Sequence, residues 1–550
     1  SMVATTFAAD TPLAVTGLIA KNGLAGNWFW WAWAFGGMLT VFVFARLWRR
    51  AEVLTDVELI ELRYGGKAAG FLRGFRAVYV AVVVNSIVIG WVTKAMCSVL
   101  QQTVLIDMPE GDHTDLLLVA VLLAVTGCYA IVAGMWGVAV TDMVQFVLAM
   151  FGCTVLAVVA VDHIGGVDIL RDKVNSAFAG QGDPFAFVPD FRDAGAAIPM
   201  GLFVCLVLSQ WWATWYPGAE PGGGGYIVQR MASCRDERHA VKATLMFQLA
   251  HYCLRPWPWI LVAFVAIALH PDLRTADDAG PGFPMMIREL APAGLAGLLL
   301  VTFAAAFMST ISTQMNWGAS YLVNDVYRRF VAPDADDRQL MTASRLASAA
   351  VLLMGGAVAW FMVAEGVSVD DAWAFLAALG SGVGAVFILR WFWWRINVWS
   401  EISAMVGSVL IFALFKVLVP EDDLRGEYRS LIVASCTLVL WLAATLMTQP
   451  ESRDHLIAFY RKVRPDGPGW GPVADAAPEV RPDGMLIRSI LCAVFGTATI
   501  WLTLPAIGAV IFGETLKAVL CFGGAIVAGS LMFLLAGKAL SSSPASAAAE

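Results

Sequence analysis

Phe303-Ala304-Ala305-Ala306-Phe307-Met308-Ser309-Thr310-Ile311-Ser312-Thr313 puts four hydroxyl side chains inside a long apolar helix. Ser309, Ser312 and Thr313 are three or four residues apart and share one face; Thr310 points to the adjacent face. Hydroxyl oxygens in such a place either bond back to the preceding turn, pack helices closely, or ligate a small hard cation such as Na⁺. A second unusual stretch opens the chain: Thr5-Thr6-Phe7-Ala8-Ala9-Asp10-Thr11-Pro12. It sets an acid and a proline at membrane depth. Pro12 lacks an N–H donor and clashes with the turn before it, so it predicts an interrupted helix with freed carbonyls.

The surrounding composition makes these features expensive. The chain is 59% hydrophobic and only 14% charged, with 22 Trp and 31 Phe; a soluble domain is about a quarter charged. Apolar runs long enough to cross a bilayer recur throughout. They predict an all-α polytopic membrane protein with spans near 1–18, 28–47, 76–103, 115–136, 138–162, 196–217, 242–269, 291–323, 342–363, 370–390, 400–419, 428–447, 487–508 and 516–537, numbered 1 to 14 below. The opening residues are already apolar, without a basic flank, which leads us to expect that sequence precedes residue 1. Nothing resembles a nucleic-acid or nucleotide motif. The Cys residues show no metal-ligand spacing and read as apolar packing.

Basic residues follow the even-numbered spans: Arg46 to Arg76, Arg230 to Lys242, Arg328 to Arg345, Arg390 and Arg395, and Arg453 to Arg481. Those loops are therefore expected in the cytoplasm, with the C-terminus inside the plasma (inner) membrane. The loop 163–195 is read as extracellular, with Pro184, Phe185 and Phe187 able to form an outer gate. Trp28, Trp30, Trp31 and Trp33 read as an outer aromatic belt, and Arg390 to Arg395 as a cytoplasmic girdle. The tail 538–550 is expected to be disordered.

Six further positions are candidates. Asp10, buried without an evident partner, should face an ion, a cavity or a neutralising donor. Asp142, with Gln145 one turn on, could bring negative charge to the Ser312/Thr313 face, though a carboxylate near a helix N-terminus is also favoured by the helix field. Lys94 and Asn85 lie inside span 3; Lys94 reads either as a substrate partner or as half of an internal ion pair. Gln210 and Trp211, near the end of span 6, supply an amide and a ring for a solute wall, while Trp215 and Tyr216 read as interfacial.

Met308-Ser309-Thr310-Ile311-Ser312-Thr313-Gln314, followed by Asn324-Asp325-Val326-Tyr327, resembles the sodium/solute symporter family. So do Gly134-Met135-Trp136-Gly137 through Thr141-Asp142-Met143-Val144-Gln145, and Val228-Gln229-Arg230-Met231. Ala8-Ala9-Asp10 is similar to a stretch of the sodium/proline carriers. The resemblance implies a LeuT-like five-plus-five inverted-repeat core: repeat one at 1–162 (spans 1–5), repeat two at 196–390 (spans 6–10), and peripheral helices at 391–537 with a cytoplasmic loop at 448–486. It implies a main sodium site at the backbone of Ala8, Thr11 and Ala306 and the hydroxyls of Ser309 and Thr310. It implies a second site at Asp142, Ser309, Ser312 and Thr313, with Asp10 tuning ion affinity. The implied activity is Na⁺-coupled uptake of a small organic solute of unassigned branch, by a lipid-embedded monomeric unit that uses no nucleotide and no nucleic acid; Lys94 itself points to an amino acid or carboxylate. A proton-coupled or passive carrier or channel, or a transporter-like sensor domain, stands as the alternative. No cluster of catalytic type suggests an enzyme.

Overall fold

The computed structural model describes residues 2–107, 112–180, 182–189, 191, 198–213, 222–419 and 426–540, with side chains at 4, 112–113, 129, 131–141, 426–427 and 538–540 excepted. Trp215, Tyr216 and the tail 541–550 lie outside the described residues. Among the described residues the chain is helical throughout, and ten helices are long and apolar enough to cross a membrane, eleven when one bent pair is taken as a single span. Spans 1, 4, 6 and 10 of the expected fourteen fall short of that test, and three of the four have a local physical reason.

Span 1 is two helices, Met2–Thr5 and Asp10–Asn22. Pro12 falls in the first turn of the second, where a missing N–H leaves nothing unpaired. Span 6 consists of Met200–Ala213, whose last turns include a π-helical segment, and a separate helix Gly225–Ala232. The glycines between them adopt left-handed backbone at Gly222 and Gly223. Span 10 bends by 46° between Val369–Leu379 and Gly384–Phe392. Gly382 supplies the bend at φ +93°. Its N–H donates to the Ala213 carbonyl at 3.0 Å, and a Cβ at Gly384 would sit 2.3 Å from the Trp212 carbonyl oxygen. The bend thus packs backbone to backbone against the first half of span 6, an approach that only glycine permits.

Spans 4 and 5 differ from expectation. The backbone is helical without interruption from Asp112 to His163. Leu123 faces Gly356 and Gly127 faces Leu352, so the first part runs antiparallel to span 9 (Asp337–Ala364). Gly152 faces Leu299, and Asp142 meets Ser309, so the later part runs antiparallel to span 8 (Ala293–Tyr321). Spans 8 and 9 are themselves joined by a short turn, so the long helical run does not stay straight.

Helix starts are set by capping. Asp336 with Gln339 opens span 9, Asn397 with Ser400 opens span 11, and Ser368 caps span 10 through the Asp371 N–H. Each satisfies a donor that the first turn would otherwise leave bare.

The four tryptophans of span 2 do not form a lipid-facing belt: all are at most 8% exposed. Trp28 donates to the Phe187 carbonyl, Trp31 stacks on Phe187 at 4.9 Å, and Trp30 donates to Asn27. The loop after span 5 therefore lies over the opening of span 2. It carries a helix of its own, Val167–Ala177. Of the girdle at Arg390 to Arg395, Arg390 and Trp391 are buried and the other four residues half-buried. Arg390 and Tyr64 both bond to Glu401, and Arg63 donates to the carbonyls of Arg390, Trp393, Trp394 and Ile396. Arg73 and Thr55 both reach Asp325, tying the loop after span 2 to the exit of span 8. Indole and guanidinium donors that find protein carbonyls lose their reason to sit at the lipid headgroups.

Candidate functional site

The break in span 1 faces the middle of span 8. Thr310 Oγ1 lies 3.1 Å from the Thr5 carbonyl and 3.0 Å from the Ala306 carbonyl. One hydroxyl proton cannot serve two acceptors fully, so the place holds more acceptors than donors. Ala8, Thr11 and Thr310 line one cavity of about 80 Å³. The structure thus brings Ala8, Thr11 and Thr310 together at the break, with the Ala306 carbonyl on Thr310.

Ser309 gives its hydroxyl proton to the other group, leaving the oxygen's lone pairs to be shared. Its Oγ donates to Asp142 Oδ1 at 2.5 Å, fully buried from solvent on the Asp142 side. Ser312 Oγ donates back to the Ser309 carbonyl at 3.0 Å, and Thr313 Oγ1 accepts from Arg230 Nη2 at 3.4 Å. Arg230 also lies within electrostatic reach of Asp142. The second set of oxygens therefore assembles around a fixed guanidinium.

Asp10 is buried in the central cavity. Trp373 Nε1 donates to Oδ2 at 3.1 Å, the Trp91 indole approaches the carboxylate more loosely, and Oδ1 has no hydrogen-bond donor in reach. Arg255 acts on it through space. The Arg255 guanidinium itself holds the opening of span 1: it donates to the Thr6 carbonyl at 2.5 Å, to Thr6 Oγ1 at 2.6 Å and to the Val3 carbonyl at 3.4 Å, with His251 Nδ1 2.8 Å away. An unwound segment in a bilayer must have its carbonyls satisfied internally, and Arg255 does this. Arg255 and His251 are polar residues inside the apolar run of span 7, which is a legible signal. Trp373 carried none, since an indole in span 10 reads as ordinary apolar surface.

The four expected solute contacts do not converge. Lys94 forms an ion pair with Asp278, so its charge is met by the protein. Asn85 donates to the Gln314 carbonyl at 3.1 Å. Trp211 packs edge-on against Phe35. Gln210 lines a larger cavity of about 720 Å³ with Ser209 and Asp371, apart from the sodium-site oxygens.

The sequence profile of the sodium:solute symporter family matches residues 1–410. The chain belongs to that family. The symporter is 26% identical over 494 residues to the sodium/glucose cotransporter 4 of Danio rerio, covering 81% of this chain and 71% of that protein. It is 24% identical over 471 residues to the sodium/myo-inositol cotransporter 2 of Rattus norvegicus, covering 76% and 66%. A Na⁺-coupled sialic acid symporter, solved in a substrate-bound outward-open state, matches with a TM-score of 0.61 at 17% identity, over 82% of this chain and 89% of that one. The symporter is therefore a multi-pass membrane protein with an all-α fold resembling the LeuT-like class. It couples Na⁺ to the secondary transport of a small organic solute, and its activity is transport, not catalysis.

Proposed function

We propose that Na⁺ binds between the broken span 1 and span 8, at the backbone oxygens of Ala8, Thr11 and Ala306 and the hydroxyls of Ser309 and Thr310. The observation that carries this reading is Thr310 Oγ1 set between the Thr5 and Ala306 carbonyls, across the break. Na⁺ there ties the two spans together. That ordering shapes the adjoining cavity for solute, and by linkage solute raises ion affinity. Inward Na⁺ movement supplies about 2.3 kcal/mol per charge for each ~100 mV of membrane potential.

The core is a five-plus-five inverted repeat, 1–162 and 196–390, in which span 1 pairs with span 6 and span 5 with span 10. The interruptions in spans 1, 6 and 10 support it. Spans 11–14 are peripheral. The basic loops and the C-terminus face the cytoplasm across the plasma membrane, and one chain is the transport unit. Asp142, Ser309, Ser312 and Thr313 form the other oxygen group. Arg230 supplies its positive charge, so one Na⁺ moves per cycle.

The test is solute uptake into proteoliposomes under an inward Na⁺ gradient, with K⁺ in place of Na⁺ as the control. Accumulation only with Na⁺ supports the reading. Equal uptake driven by a pH gradient without Na⁺ overturns it.

A further inference from the structure

Three buried oxygens on the wall of the central cavity have no hydrogen-bond partner: Thr5 Oγ1, Asp10 Oδ1 and Gln314 Oε1. Asp10 Oδ1 and Gln314 Oε1 accept, Thr5 Oγ1 accepts and donates, and the Asp10 carboxylate is the one acidic group among the residues lining it. A bound solute that brings donors suits this wall, and a positive charge suits Asp10 best. Much of the rest of the wall is aromatic. Trp30, Trp33, Trp91 and Trp373 close the cavity. Aromatic faces carry negative potential and attract ammonium cations, most strongly where water is excluded.

We propose that this cavity holds the ammonium head of a small solute, with Asp10 as its counter-charge and the tryptophans as its cage. The proposal rests on the transport reading above and names the substrate class for it. Size agrees. A cavity of ~150 Å³ accommodates benzene, so about 80 Å³ takes an ammonium group with two or three carbons and excludes a hexose ring in this conformation. Charge agrees as well. Arg255 directs Nη1 and Nη2 to the Val3 and Thr6 carbonyls and to Thr6 Oγ1 and is not among the residues lining the cavity, so no guanidinium fork faces a solute carboxylate there. Lys94 is held by Asp278 outside the cavity lining. A purely anionic solute would meet the like charge of Asp10, with Arg255 acting only through space from outside the lining.

The experiment uses the full chain in detergent and reads the quenching of tryptophan fluorescence by ethanolamine, ethylammonium and L-alanine. Ethylene glycol and D-glucose serve as uncharged controls. The expected result is saturable quenching by at least one ammonium probe, about tenfold or more tighter than by either control. Asp10→Asn should abolish that preference. The wild-type panel decides without any variant: no saturable binding of any ammonium probe, or glucose binding as tightly as the best of them, overturns the proposal. A preference that survives in folded Asp10→Asn protein overturns the role of Asp10. Repeating the titrations in Na⁺ and in K⁺ separates this inference from the transport reading. Ammonium binding that is equal in both salts supports the cavity assignment and removes the sodium coupling. Quenching by Na⁺ with no response to any ammonium probe keeps the coupling and overturns the cavity assignment.

Discussion

Arg255 Nη2 donates to the carbonyl of Thr6 at 2.5 Å, joining residues 249 positions apart. The bond places a charged side chain of span 7 on the backbone that span 1 leaves bare. Arg255→Met should remove several hydrogen bonds at once. Bonds to a charged partner contribute about 1.5–3 kcal/mol each, and buried carbonyls left unpaired cost more. The expected outcome is a thermal midpoint lowered by several degrees, read on detergent-solubilised protein. Arg255→Lys should recover only part of it, because an ammonium cannot reproduce the planar fork. An unchanged midpoint in Arg255→Met would show that span 1 is held open by something else.

Thr310→Ala removes the hydroxyl between the Thr5 and Ala306 carbonyls. The substitution keeps the helix, since Ala is the best helix former. We expect the Na⁺ concentration for half-maximal uptake to rise about tenfold, the equivalent of about 1.4 kcal/mol, with protein yield little changed. Thr310→Ser should restore most of the affinity. Equal Na⁺ dependence in all three proteins would remove Thr310 from the ion site.

The proposed stoichiometry of one Na⁺ is tested at Asp142 and Arg230. With Arg230 as the cation beside Asp142 and Thr313, reversal-potential measurements should give one Na⁺ per solute. Asp142→Asn should leave that ratio unchanged while lowering the rate, because the Ser309 hydroxyl loses its carboxylate acceptor. A wild-type ratio of two that falls to one in the variant would show that the second oxygen group binds a transported ion.

Glu61 gives an acid-side prediction. Burial raises its carboxyl, but hydrogen bonds from Arg329 and Arg73 outweigh burial and hold it below the usual carboxylate range. An acid depressed in the folded state adds stability above its unfolded value, near pH ~4.3. That stability is lost as pH falls through the lower folded value. The thermal midpoint of the wild type should therefore drop below about pH 4 more steeply than that of Glu61→Gln. Parallel curves would mean the Arg73–Glu61–Arg329 cluster contributes nothing to the fold.

The chemistry at Ser309, Thr310, Asp10 and Asp142 was legible in the sequence because polar groups inside apolar runs stand out against their neighbours. The interruption near Pro12 was legible for a related reason: proline restricts the backbone wherever it occurs. What the sequence could not assign was partnership. Lys94 was readable as a solute partner or as half of an ion pair, and only the fold brings Asp278 to it. Trp28, Trp30, Trp31 and Trp33 had the composition of a membrane belt. Their burial followed from a loop more than 150 residues away that supplied the Phe187 carbonyl to Trp28.

The sequence by itself determined the membrane setting, the helical class and which polar groups lie inside apolar runs. Each follows from local composition and from the cost of polarity in lipid. The tertiary structure decided which of those groups share a space. Thr5, Thr310, Asp10, Trp373 and Gln314 come from three distant spans, and no local rule links them. Only packing across the broken helix turns scattered oxygens and indoles into one cavity.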